Sequence, residues 1–390
     1  MAYLGFKKID LLFHIVCIVF VLVYAICSIY DYFRNEDICE VSFKTFHSKD
    51  WGPRYPAFTM CLSSPFIEEK WSKLATTINT SQYNSYLLGG VQGDERLQNI
   101  AYENVSATEN DFIIDAVLKY KDENRTFINV TDIRTHSWGM KSHVTKCFTF
   151  GVPFLKNALA DVLTININNS IFPNGKRPSD GWKQGGMQIF DHYPGQFGRS
   201  YSSNRRFWNT RYSNKSYIMR FYFKGMEVLA KRHKRYEECE ENNMKSYDDS
   251  VVEYILNTLQ CRPPYMDGTE KNYPVCADKE KLMKARTMFT KILLGISDLL
   301  GPCTEVRKVD LNYEETDNED IDPGQATIKL YFVSKGYKEI RQIRAYGIMA
   351  LFGNVGGFVG LLLGYALVHF PGFMHSTFSY FKKGTQKGQK

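Results

Sequence analysis

The residues with the most distinctive chemistry lie in Gly347 to Phe370, GIMALFGNVGGFVGLLLGYALVHF, six glycines in a run without Lys, Arg, Asp or Glu. Beyond Tyr365 and His369 such a segment offers little side-chain chemistry. It offers backbone: small residues let a second helix come close, and where a membrane helix is crowded or broken, freed carbonyl oxygens can face water and ions. Gly356, Gly360 and Gly364 recur at every fourth position and share one groove of a helix. Gly353, Asn354 and Gly357 complete the candidate set. Each glycine lowers helix propensity by about 1 kcal/mol, so a plain anchor has little use for so many. At ~1.5 Å rise per residue the segment reaches across a ~30 Å hydrocarbon core, which predicts a membrane span over 345–370.

A second apolar run, Leu11 to Ile29, holds nineteen residues with no charge and one histidine, His14. Lys7 and Lys8 before it suit a signal peptide, but the run is longer than a signal core and no small-x-small cleavage site follows. It reads as a first span, 11–30, after a short cytoplasmic 1–10. Lys382, Lys383, Lys387 and Lys390 follow the second span, so both termini read as cytoplasmic, with 371–390 inside. Arg341 and Arg344, just before the second span, run against that tendency. Asn79, Asn104, Asn124, Asn129, Asn168 and Asn214 each head an N-x-[ST] triplet, and all six lie between the spans. Glycosylation there predicts an extracellular 31–344 and a plasma-membrane location.

Seven of the nine cysteines lie in that middle region, and Cys17 and Cys27 lie in the first span. Cys239, Cys261, Cys276 and Cys303 bracket two helical patterns, and an oxidising exterior favours disulfides. Nested pairing, Cys239 with Cys303 and Cys261 with Cys276, would close a compact helical lobe. A zinc site is the rival, weakened by the lack of C-x-x-C or H-x-x-x-H spacing.

The 390 residues are enough for one large domain or two modest ones, and the formal charge of +7 comes without a basic module interleaved with aromatics. The densest run, Lys231 to Arg235, reads as a solvated face. No H-E-x-x-H, G-x-S-x-G or Walker pattern supports catalysis, and GNVGGFVG lies inside a membrane span rather than after a soluble strand. Short β-branched and aromatic runs predict strands at Tyr55 to Leu62, Lys146 to Phe150, Ala160 to Asn168, Gly186 to Tyr193, Ser216 to Phe223 and Ala326 to Val333. Helices are predicted at Asp111 to Lys121, Asp248 to Gln260 and Lys279 to Leu300, the last stopped by Gly301 and Pro302. Glu314 to Asp322 reads as an acidic loop before the last strand.

The segment RAYGIMALFGNVGGFVGLLLGYAL resembles the pre-pore and second span of the degenerin/epithelial sodium channel superfamily, which includes the acid-sensing channels. YPAFTMC ending at Cys61, KCFTF around Cys147, CRPPYM from Cys261, YPVC ending at Cys276 and GPC ending at Cys303 are similar to the family's strands and thumb cysteine ladder. The resemblance implies an α+β membrane protein: two transmembrane helices and a large disulfide-stapled extracellular domain of palm β-sheet, finger and helical thumb, the thumb over about 236–305. It implies a Cys61 to Cys147 bond, leaving Cys39 unpaired. It places Gly364, Tyr365 and Ala366 at a selectivity constriction, and Tyr236 as a thumb aromatic reaching Tyr30, Tyr32 and Phe33 near the first span. It implies a homo- or heterotrimer of related subunits in the bilayer, conducting Na⁺, of the amiloride-sensitive type, opened by protons, a peptide ligand or mechanical load, with no cofactor, metal or nucleic acid.

Three departures bear on function. Ala366 replaces the serine of the family's Gly-x-Ser, Asn354 stands where acid-sensing members carry aspartate, and the His-Gly motif ahead of the first span is missing. No Asp or Glu follows Glu339, so a cation pore here would lack carboxylate rings in its second span. Two other classes share the plan. ATP-gated trimeric channels would show more ectodomain cysteines and phosphate-gripping lysines; a non-conducting or partner-dependent two-span glycosylated receptor would tolerate substitution of Gly364.

Overall fold

The computed structural model describes residues 2–34, 36–47, 49, 54–62, 65–121, 125–139, 144–155, 158–171, 187–196, 206–208, 216–232, 238–239, 246–266, 273–296, 298–317 and 324–363. The chain divides into two compact units, Met1–Glu40 with Gln342–Lys390, and Val41–Arg341. Helix α1 spans Ala2–Arg34, further at both ends than the apolar run alone. No Gly or Pro interrupts Leu11 to Arg34, so nothing stops the helix there. Its stretch Ile15–Arg34, mean hydropathy 2.2, is long and apolar enough to cross a membrane.

The elements of the larger unit follow in chain order. Strands β1 (Asp37–Thr45) and β2 (Arg54–Leu62) lead to helices α2 (Glu68–Ala75), α3 (Thr80–Leu87), α4 (Glu95–Gln98) and α5 (Glu109–Phe112). Then come β3 (Ile113–Lys119), β4 (Phe127–Asn129), β5 (Ile133–Gly139), β6 (Val144–Pro153), β7 (Val162–Asn168), β8 (Met187–His192), β9 (Arg206–Trp208) and β10 (Tyr217–Ala230). Helices α6 (Tyr247–Leu259) and α7 (Lys279–Leu293) precede β11 (Thr304–Asp317), β12 (Gln325–Phe332) and β13 (Gly336–Arg344). The last helix, α8, spans Ile348–Leu363 and belongs with α1.

An eight-stranded sheet runs β1-β13-β10-β12-β7-β3-β4, with β11 on β10; a five-stranded sheet runs β5-β6-β2-β8-β9. Alternation builds the core: Leu163, Ile165 and Ile167 of β7 and Ala326, Ile328 and Leu330 of β12 all point into one apolar cluster. A second cluster gathers α6, α7 and the inward side chains of α3 around Trp138, whose ring stacks on Phe289 at 4.5 Å. Aromatic burial on this scale dominates the stability of such a lobe.

The stretch Asp111 to Lys121 is a strand rather than the predicted helix. Helix α5 ends at Phe112 after a capping box made by Thr108 and Asp111. Ile113 and Ile114 then open β3, which lies between β7 and β4 and buries Ala116 and Leu118. Branching at Cβ and sheet pairing outweigh the helical spacing. Helix α7 stops at Leu293, short of Leu300, because Gly295 takes φ +69°. The Gly295 and Ile296 N–H groups donate to Ile292 O at 3.0 Å and Lys291 O at 2.9 Å, closing the helix before Gly301 is reached. Glu314 to Asp317 belong to β11 rather than to an acidic loop, and 318–322 lie outside the described residues.

Cys61 and Cys147 stand opposite one another in the β2–β6 ladder and are bonded. Cys239 bonds Cys303, and Cys261 bonds Cys276, so the four lobe cysteines are consumed and none is left for zinc. Cys39 is an exposed free thiol; Cys17 is buried and Cys27 exposed.

Candidate functional site

Helix α8 carries the glycine-rich segment. Its apolar stretch Ile348–Leu362 is shorter than a membrane-crossing helix, and Gly364, Tyr365, Ala366 and His369 lie outside the described residues. Within the described part the glycines divide. Val355, Gly356, Phe358 and Gly360 are half-buried, and Phe358 stacks on Tyr24 at 4.3 Å where α8 packs on α1; Gly356 and Gly360, each two positions from Phe358, lie about 160° round the helix from that contact. Gly353 and Gly357 are exposed, and a Cβ at either would meet nothing within 4 Å. Asn354 shares that exposed side, its Nδ2 donating to Tyr346 Oη at 3.0 Å. Gly353, Gly356, Gly357 and Gly360 thus form one glycine stripe on the side away from Phe358, with bare backbone at Gly353 and Gly357.

At the start of α8's lead-in, Arg344 lies over the Tyr32 ring, 3.8 Å from guanidinium carbon to centroid, and also donates to Tyr32 O. Ala345 N–H donates to Glu36 O at 2.9 Å, fixing the strand end beside the end of α1. Tyr32 is half-buried and meets Phe33 edge-on at 5.5 Å, while Tyr30 and Phe33 are exposed. Tyr236, their expected partner, lies outside the described residues. Nothing in the sequence flags Arg344 as the residue that holds Tyr32; its position suggests only a charge at the end of a span.

Of the sequon asparagines, Asn79, Asn104 and Asn129 are exposed and Asn168 is half-buried; Asn124 and Asn214 lie outside the described residues. Asn79 caps α3, its Oδ1 accepting from Gln82 N at 3.2 Å, and Asn168 Oδ1 accepts from Ser170 N–H at 3.1 Å. Both bonds use oxygen and leave Nδ2, the acceptor atom for a glycan. Lys231, expected on a solvated face, bonds Glu305 at 2.8 Å.

The larger unit also holds a small cavity of about 80 Å³ that the sequence did not reveal, lined by Asp132, Arg134, His136, Thr149, His192 and Asp249 together with apolar side chains such as Trp138 and Val252. Arg134 bonds Asp249 in the first turn of α6. Gly195, at φ +73°, passes so close to α6 that a Cβ would come within 2.7 Å of Ser246 Oγ, and its carbonyl accepts from Asp248 N–H at 2.9 Å. His192 Nδ1 lies 2.8 Å from Tyr193 O. A carbonyl only accepts, so Nδ1 carries the proton and Nε2 of the neutral ring accepts. Thr59 Oγ1 at 2.7 Å then donates to Nε2, and Thr149 Oγ1 at 2.7 Å donates to Thr59. Burial pushes the His192 pKa down to about 4. Burial, then His192, Arg134 and Lys146, push that of half-buried His136 down to about 3. Both rings are neutral at ordinary pH. Among the described residues no His, Cys, Asp and Glu group could hold a metal.

The family described as amiloride-sensitive sodium channel matches residues 7–370. Comparison with curated proteins finds no match. Among solved structures the chain is similar to a proton-activated chloride channel determined by cryo-EM, at 6% identity over 92% of this chain and 94% of that one. The TM-score of 0.29 makes that likeness too loose to carry an argument.

Proposed function

From the fact that the chain belongs to the amiloride-sensitive sodium channel family, we propose that it is one subunit of a trimeric, Na⁺-conducting plasma-membrane channel opened by an extracellular stimulus. The observation that carries the reading is the span of the family match, which takes in both apolar segments and everything between them. A chain in this family is a channel component and not an enzyme. In the proposed channel Gly364, Tyr365 and Ala366 form the constriction, and the exposed side of α8 with Gly353, Asn354 and Gly357 faces the ion path. Gly356 and Gly360 lie on the same glycine stripe. Bare backbone on one side of α8 supports carbonyl and amide dipoles as the ion's partners, since no carboxylate follows Glu339. Both termini are cytoplasmic in this reading, and the exposed sequons carry glycans.

The lack of pore carboxylates favours one second reading, a partner-dependent or non-conducting subunit. Whole-cell recording from cells expressing this chain alone separates the two, with Na⁺, K⁺ and Cl⁻ replaced in turn during acid steps, peptide application and stretch. A Na⁺-reversing current altered by Gly364→Cys or Ala366→Ser supports the pore. Silence from protein shown at the surface, unchanged by co-expressed relatives, sinks it.

A further inference from the structure

We propose that the eight-stranded sheet carries a binding site for a small aromatic carboxylate, in the groove where β10 bulges. The site is independent of ion conduction and is built by a mismatch in strand pairing. Strand β10 pairs with β12 as far as Phe223↔Phe332, and with β13 only from Glu227↔Lys338. Between these points Lys224, Gly225 and Met226 have no partner strand on that side, while on the other side β11 slips register between Phe223 and Gly225. A bulge of this kind opens a sheet locally and re-aims side chains.

The opening is a groove of about 480 Å³, within the ~300–1,000 Å³ range of small-molecule sites. Its floor is unfilled: a Cβ built on Gly225 meets nothing within 4 Å. Phe43 of β1 lines it and is 84% exposed, a large apolar ring left to water. The lining charges are Lys44, Lys224, Glu227, Lys308, Asp310 and Lys338. Lys44 is held by Glu339 at 2.8 Å and Lys338 by Glu227 at 3.0 Å. Lys224, Lys308 and Asp310 make no ion pair among the described residues, which leaves two cations against one carboxylate. One net positive charge beside an unfilled floor and an exposed ring selects a monoanion with a flat apolar body. An aromatic carboxylate lays its ring on Phe43 over Gly225 and sets its oxygens toward Lys224 and Lys308.

The test uses the full chain in nanodiscs and three probes of one shape: 2-naphthoate, 2-naphthamide and 2-naphthylmethylammonium, followed by ligand-observed saturation-transfer NMR. The carboxylate is expected to bind at least about tenfold more tightly than the ammonium, with the amide between them. Gly225→Leu fills the floor and abolishes binding of all three. Lys224→Gln with Lys308→Gln leaves Asp310 unbalanced, one net negative charge, and reverses the order so that the ammonium binds at least as tightly as the carboxylate; both lysines are exposed, so this variant keeps the test open if Gly225→Leu does not fold. Equal binding of the three probes by the unaltered chain, no binding at all, or full naphthoate binding by a folded Gly225→Leu chain overturns the proposal. A Phe43→Cys chain on a Cys39→Ser background that cross-links to a second copy also overturns it, because a neighbouring chain then covers the groove.

Discussion

Substituting His192 by Gln tests whether the buried threonine–histidine relay is neutral in the folded chain. The His192 ring is 1% exposed, and its pKa falls from 6.5 to about 4. Above pH 6.5 neither the folded nor the unfolded chain binds a proton there, so the group contributes its full stability. As pH falls from 6.5 toward 4 the unfolded chain takes up a proton that the folded chain refuses, and stability drops by about 1.4 kcal/mol per pH unit. Integrated over that window the loss is about 3 kcal/mol from His192 alone. The physical cost is visible in the relay. A proton on Nε2 forces Thr59 to accept rather than donate, which turns its hydroxyl onto Thr149 and leaves Thr149 to find another acceptor in the interior. Glutamine keeps an acceptor for Thr59 and a donor for Tyr193 O but cannot titrate. Denaturant unfolding of the detergent-solubilised chain, followed at several pH values between 7.5 and 4.5, measures the slope. His192→Gln should be less stable than the unaltered chain at pH 7.5 and show a slope shallower by about one proton below pH 6.5. Equal slopes in the two chains would refute both the neutral ring and the direction of the relay.

Arg344→Lys keeps the charge but loses the planar group over Tyr32. It should weaken that contact by about 1 kcal/mol, seen as faster proteolysis between α1 and β1, whereas Arg344→Ala should cost more because Tyr32 O also loses its donor. Gly357→Ala places a methyl group in open space and should leave the fold intact while raising helix content, since alanine is the better helix former by about 1 kcal/mol. Phe358→Ala removes the ring that stacks on Tyr24 and should loosen α8 from α1; cysteine pairs across the two helices, cross-linked in each background, would show whether Phe358→Ala and Gly357→Ala differ in this way.

How much was legible depended on whether the deciding force was local. The strands β2, β6, β7, β8, β10 and β12 announce themselves because their apolar runs are short, branched and bounded by breakers, and the core uses that alternation. The helices α6 and α7 show through their apolar spacing, but the end of α7 turned on Gly295, an unremarkable glycine in sequence whose positive φ only the folded chain reveals. Asp111 to Lys121 reads locally as helix because β3 draws its stability from pairing with β7, whose partners lie far along the chain, as in Lys119↔Val162 and Ile113↔Ile167. The glycine run was legible as a helix that something must approach, but the contact of that helix with α1 through Phe358 and Tyr24 was not. The cavity around His192 was not legible at all, since Thr59, Thr149 and His192 come from three strands and no spacing links them.

The surroundings of the charges before α8 become plain once contacts are known. In sequence Arg341 and Arg344 stand as two cations just before the glycine-rich segment, which has no carboxylate. Arg341 instead lies 3.3 Å from Glu339, which also holds Lys44, and Arg344 is spent on Tyr32. One carboxylate thus answers two cations at Glu339, while Arg344 keeps its charge over a neutral ring, so in the proposed channel a single new carboxylate should tell. Asn354 is the place to put it, because it is exposed and its Nδ2 bonds a hydroxyl that can itself donate. In Asn354→Asp the Tyr346 O–H donates to the carboxylate and the contact survives with its direction reversed. At ~7 Å in water a unit charge attracts a monovalent cation by about 0.6 kcal/mol, a two- to threefold rise in local concentration. In the proposed channel Asn354→Asp should raise inward Na⁺ current by about that factor at low ionic strength and by less at high salt, where screening shortens the reach of the charge. A current unchanged at low salt, or raised equally at both, would mean that the exposed side of α8 does not face the ion path.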